Sequence, residues 1–144
     1  MKIFFDTSVL VAASERSHEH HAGAKSAVER ATAGKDVGFL GAHSLAEVYA
    51  VLTRLPVTPR IQAGEAAKIV EENMAKTMSV VGLGASDYLT VIRNAANAGI
   101  AGGAIYDLLL LAAAEKSEAE RIYTFNVQEF RRLAPQLAGR IMAP

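Results

Sequence analysis

The strongest constraint on this chain is a continuous apolar run that stops at an acid. Ile3, Phe4 and Phe5 show no polar alternation, which suits a strand buried on both faces of a parallel sheet. Asp6, Thr7 and Ser8 end the run, and Val9, Leu10, Ala12 and Ala13 resume at helical spacing. A buried strand therefore delivers one carboxylate to a strand-to-helix turn. In open α/β sheets, ligands sit beyond the carboxyl ends of strands. The plainer alternative is that Asp6, Thr7 or Ser8 only caps the helix. What separates the two is whether other acids reach similar places.

They do. Residues 37–41 read as a second strand, and residues 42–54 follow as a helix with Leu45, Val48, Tyr49 and Leu52 on one stripe. Ser44 and Glu47 match a capping box, which places Glu47 in the first helical turn and offers a purely structural use for it. Residues 77–83 read as a third strand. The helix over 88–98 after it has Leu89, Ile92, Ala95 and Ala96 as inward positions and Asp87 at its start. Residues 104–116 form a helix that is apolar almost all round, so Asp107 in its first turn is the anomaly. A buried carboxylate is costly unless paired, hydrogen-bonded or bound to a cation. Residues 121–125 read as a fourth strand, with Thr124 and Asn126 at its carboxyl end, where turn chemistry is the simpler use. Residues 140–142 read as a last edge strand.

Two further helices are expected, one over 22–33 capped by Ser17 with Glu19 in its first turn, and one over 60–75 after Pro56 and Pro59. His18, His20 and His21 invite a zinc reading, with His43 as a distant third ligand. No ligand at metal spacing stands beside them, so an ordinary exposed cluster is the better reading. The glycines of 99–103 follow no strand and lack the dinucleotide-binding order.

Strands alternating with helices imply a three-layer α/β domain with a mainly parallel sheet, and 144 residues fit one domain, 1–144. Fifteen basic and fifteen acidic residues cancel, so overall charge gives no global attraction to nucleic acid. The absence of cysteine excludes disulfides and thiolate zinc sites and fits a reducing cytoplasm. Asp6, Glu15 and Arg16 break up any leader-like start, and no apolar run approaches the ~20 residues that span a bilayer. A cytoplasmic protein without a membrane segment is the expectation.

Asp6, Glu47, Asp107 and Asn126 all fall where they can face one crevice above the sheet. Three hard anions and an amide carbonyl suit Mg²⁺ or Mn²⁺. Without a cation, neighbouring carboxylates raise one another's pKa values.

The ordered pieces IFFDTSVLVAA, HSLAEVYAVLTRLP, AIYDLLLLAAAE and IYTFNVQEF resemble the PIN-domain nucleases, and among them the VapC-type toxins of toxin–antitoxin systems. The resemblance covers essentially the whole chain. It implies a parallel sheet of about five strands flanked by helices and an acidic pocket where Asp6, Glu47 and Asp107 bind metal. Thr7 or Ser8 and Thr124 would support them by hydrogen bonds. It further implies a Mg²⁺- or Mn²⁺-dependent endoribonuclease, an RNA substrate, a cognate antitoxin and a homodimer, with apolar faces near Tyr49, Leu52 and Ile69 for assembly. Where the family often has a fourth acid, this chain has Asn126, which argues against a tightly held second metal; Glu129 is the nearby acid. A phosphotransfer receiver would want paired acids at the first strand and a lysine after the last core strand. A haloacid-dehalogenase-type phosphatase would want an acid at position 8, which is serine. The serious rival is a catalytically weak RNA- or protein-binding module on the same fold.

Overall fold

The computed structural model describes residues 1–144. Strands β1 (Lys2–Phe5), β2 (Val37–Gly41), β3 (Ser79–Val81), β4 (Arg121–Tyr123) and β5 (Ile141–Met142) form one sheet in the order β3-β2-β1-β4-β5. Every neighbouring pair is parallel. β1 is central, with Phe4 in register with Phe39 on one side and Ile122 on the other. That position explains its uninterrupted apolar sequence, because both faces are covered.

The helices are α1 (Thr7–Ser14), α2 (His21–Thr32), α3 (Ala42–Arg54), α4 (Ala63–Val70), α5 (Ala85–Asn97), α6 (Ala104–Lys116) and α7 (Val127–Leu133). Alternation along β1 divides the core. Ile3 and Phe5 pack with residues of α1 to α4, whereas Phe4 packs with Leu110, Leu111 and Ala114 of α6 and Phe130 of α7. The result is the expected three layers. No helix is long and apolar enough to cross a membrane.

The chain runs outward from β1 through β2 to β3, then crosses back to place β4 on the other side of β1. The strand order therefore reverses between β1 and β4, and a crevice opens beyond their carboxyl ends. Gly41, at the end of β2, lets α6 come close, since a Cβ there would lie 3.1 Å from Leu110 Cδ2. This close approach seats α6, and with it Asp107, over that crevice.

Several local expectations are corrected. α3 starts at Ala42 with Gly41 at its cap, so Ser44 lies inside the helix and Glu47 in its second turn; the capping box does not form. α2 starts at His21 without a side-chain cap, and residues 15–20 form their own turn, so Ser17 does not cap it. The helix expected over 60–75 is α4 followed by a π-helical turn, Glu71–Ala75. On α5, Leu89 and Ile92 are 58% and 50% exposed instead of inward. Ala96 is exposed as well, whereas Ala95 is buried as expected and Val91 is half-buried, so the inward face is rotated toward the Val91–Ala95 stripe. Leu52 is fully buried and unavailable to an interface. Asp87 does serve its helix start, accepting the Gly84 N–H at 2.8 Å and pairing with Lys116 at 3.2 Å.

Candidate functional site

At the switch between β1 and β4 the chain brings together side chains from β1, α1, α3, α6 and β4. Asp6 caps α1 and is buried. Its Oδ2 accepts from Ser8 Oγ at 2.6 Å, from Thr124 Oγ1 at 2.8 Å and from the Ser8 N–H at 3.4 Å. Both hydroxyls thus hold one oxygen and leave the other, Oδ1, without a hydroxyl donor. Burial pushes the Asp6 carboxyl up, while the Ser8 and Thr124 hydroxyls pull against it. The carboxylate that caps α1 thus also stands at the mouth of the crevice, so capping does not exclude a role there.

The hydroxyls are themselves fixed. The Phe125 N–H donates to Ser8 Oγ at 3.1 Å, and the Asn126 N–H donates to Thr124 Oγ1 at 3.0 Å. The bend after β4 thereby locks the two donors that lock Asp6. Thr7 Oγ1 turns the other way, 2.9 Å from Ser44 Oγ and 3.3 Å from Glu47 Oε1. Its single proton is shared between them, tying α1 to α3. Ser44 is fully buried. Sequence reasoning assigned it to a cap; the signal that could have found it is its i, i+3 spacing from Glu47, which puts both on one helix face.

Asp107, in the first turn of α6, is half-buried, and its carboxyl is pushed up to about 6. Desolvation is the largest cause, followed by the charges of Asp6, Glu129 and Glu47. Acids from four separate segments therefore bear on one position. As they stand, no three His, Asp or Glu side chains are drawn close enough to hold one metal ion. Glu129 is committed elsewhere, since its two oxygens accept from Arg132 at 2.6 and 3.0 Å, which holds its carboxyl below the usual range. Asn126 is exposed and its side chain caps nothing.

The histidines divide. His21 Nδ1 bonds the Ala12 carbonyl at 2.8 Å, and His18 Nδ1 accepts from the His20 N–H at 3.1 Å. His43 lies 3.8 Å from Glu47 and stacks on Tyr106, the residue before Asp107. Neither His43 nor Tyr106 stood out in the sequence as a neighbour of the acids. A cavity of about 440 Å³ lies elsewhere, against α1, α2 and α4, lined by Leu10, Arg16, Lys25, Ile69 and Met74 among others. It has one acid, Glu29, already 3.6 Å from Lys25, so it offers no comparable chemistry.

A family model described as the PIN domain matches residues 3–135. Two curated proteins of Mycobacterium tuberculosis are similar. Ribonuclease VapC27 is 36% identical over 115 residues, covering 80% of this chain and 78% of its own. Ribonuclease VapC40 is 36% identical over 117 residues, covering 80% of each. Among solved structures, M. tuberculosis VapC20, a sarcin–ricin loop cleaving toxin, superposes with a TM-score of 0.70 at 22% identity over 99% of both chains. VapBC2 of Rickettsia felis, bound to a promoter DNA fragment, gives 0.64 at 18% identity over 92% of this chain and 93% of its own.

Proposed function

The chain belongs to the PIN-domain family, and from that premise we propose that it is a toxin ribonuclease of the VapC type that hydrolyses RNA phosphodiester bonds with Mg²⁺ or Mn²⁺. What supports this site is that Asp6 and Glu47 both act on the half-buried Asp107 at the crevice where the strand order reverses. The donor set fits a hard divalent cation: every candidate ligand is a carboxylate oxygen, and the hydroxyls on Asp6 Oδ2 leave Oδ1 for it. Asp6, Glu47 and Asp107 would hold that ion, which when bound supplies a nucleophilic water at neutral pH and positive charge for phosphoryl oxygens.

The chain's own residues do the positioning. Ser8 and Thr124 orient Asp6, and Thr7 with Ser44 orients Glu47. Asp107 must lose its proton to serve, so in limiting metal cleavage should decline as pH falls through about 6, and excess metal, which competes with the proton, should move the decline to lower pH. With Asn126 neutral and Glu129 tied to Arg132, one metal is better supported than two. A cognate antitoxin would restrain the enzyme, as the VapC-type resemblance implies.

One observation favours the rival binding-module reading: the acids do not yet sit close enough for one ion. Purified full-length protein, free of antitoxin, decides between them on total RNA. Cleavage with Mn²⁺ that stops in chelator supports the nuclease. RNA binding without cleavage at any metal concentration supports the module.

Thr124→Val keeps the shape of a fully buried residue and removes one of the two hydroxyls on Asp6. Substitution of such an orienting partner costs roughly 10–100-fold in activity or metal affinity. The expected loss of stability is roughly 1–3 kcal/mol, because the Asn126 N–H also loses its acceptor. Full activity in the variant would show that Asp6 needs no such orientation.

A homodimer is also proposed. Tyr49 remains exposed and Ile69 half-exposed, and Leu89 and Ile92 add apolar surface that no part of the chain covers. A stable interface would bury roughly 1,200–2,000 Å² in total. Light scattering at micromolar concentration should report twice the chain mass; a monomer there would contradict the proposal.

A further inference from the structure

Two imidazole–aromatic stacks flank the strand ends that carry the acids. His20 lies on Phe125 with ring centroids 4.5 Å apart and planes 19° from parallel. His43 lies on Tyr106 at 6.0 Å and 11°. Topology puts them on either side of Asp6. His43 follows β2, Phe125 follows β4, and β1 with Asp6 at its end runs between those strands. Each stack is also linked to the site. The Phe125 N–H is held by Ser8, which holds Asp6, and His43 sits 3.8 Å from Glu47.

Phe125 packs against the core, but the rings stacked beyond it and beside Asp107 are not buried. His20 is about half exposed (49%), and Tyr106 is 56% exposed despite its size. The first stack is fixed before anything binds. The His20 N–H donates to His18 Nδ1, the His21 N–H donates to the His18 carbonyl, and His21 Nδ1 anchors the turn to Ala12. His18 lies beside the same ring, 5.8 Å away between centroids, and Glu19 reaches its Nε2 at 3.4 Å, yet about half of the His20 side chain stays exposed; a ring held this way is a platform whose ordering cost is already met. Unpaired nucleobases are the ligand class that stacks on such rings, and they do so with little dependence on sequence.

We propose that His20 on Phe125 and Tyr106 on His43 are base-stacking platforms that grip the unpaired nucleotides on the two sides of the scissile phosphate. This rests on the ribonuclease reading and adds how the strand is held. It favours single-stranded or looped RNA over duplex, since pulling a paired base out of its stack costs a few kcal/mol that an unpaired base does not. It also answers how a chain with no net charge holds RNA: affinity comes from stacking as well as from phosphate contacts.

The test uses full-length Asp6→Asn protein, which should not cut, and a short fluorescent single-stranded RNA of mixed sequence in Mg²⁺. Fluorescence anisotropy should show about tenfold weaker binding for His20→Ala and for Tyr106→Ala, in line with stacking losses per base. Their combination should approach the product of the two. His20→Phe and Tyr106→Phe keep a ring and should bind like the parent, which a loss of charge or of fold would not allow. A fully paired duplex of the same sequence should not distinguish the variants. The inference is overturned if either alanine variant binds as tightly as the parent, or if the phenylalanine variants bind as poorly as the alanine ones. If this happens while the Asp6 parent still cuts total RNA, the ribonuclease reading stands alone. If that parent neither binds nor cuts RNA, both fall.

Discussion

Asp6→Asn is expected to abolish RNA cleavage while leaving the fold intact. Asn caps a helix about as well as Asp and has nearly the same volume, so α1 keeps its start. What is lost is the charge at the centre of the crevice, on a side chain that Ser8 and Thr124 hold in one orientation. A metal-dependent site relies on its ion for several kcal/mol of transition-state stabilisation. At about 1.4 kcal/mol per decade, weakening that ion's hold lowers kcat/KM by about 10³-fold. The thermal midpoint should stay level or rise, because burial disfavours the charged carboxylate. Cleavage within a few-fold of the parent would remove Asp6 from the reaction.

Asp107→Asn should stabilise the protein in chelator at pH 8 and do nothing for it at pH 4. The Asp107 carboxyl is raised from 3.8 to about 6 in the folded chain. Between those values the folded state holds more protons than the unfolded state, so stability falls as pH rises through the window. The cost is fully present above about pH 6 and absent below about 4. Asp107 is only half-buried, so solvent screening discounts the full shift, and about 1 kcal/mol is the expected gain for the variant. Were Asp107 no more than a favourable charge at the start of α6, its loss would instead destabilise by roughly 0.3–1 kcal/mol. Thermal melts of both proteins across that pH range give opposite signs for the two cases.

The buried strands and the acids were legible because each rests on a local signal. Ile3, Phe4 and Phe5 declared a central strand, and Asp107 stood out against the most apolar helix of the chain. Helix rotation and helix starts were not legible, because tertiary packing sets them. α5 carries two possible inward stripes; Ala95 is buried as its spacing indicates, but packing turns Val91 inward and leaves Leu89 and Ile92 exposed. Ser44 and Glu47 spell a capping box, yet the backbone enters the helix earlier, at Gly41, and frees Ser44 for Thr7. The stacks His20–Phe125 and His43–Tyr106 join residues remote in sequence, so periodicity could not pair them.

The central claim is that Asp6, Glu47 and Asp107 share one divalent cation. Melts at pH 8 in chelator and in Mn²⁺, for the parent and for Asp107→Asn, test it most directly. A ligand that binds only the folded state stabilises by RT ln(1 + [L]/Kd), about 2.7 kcal/mol at a hundred times Kd. The parent should therefore rise clearly with Mn²⁺, while Asp107→Asn, already more stable in chelator, should rise much less. A variant that melts lower than the parent in chelator, yet gains as much from Mn²⁺, would contradict the shared site.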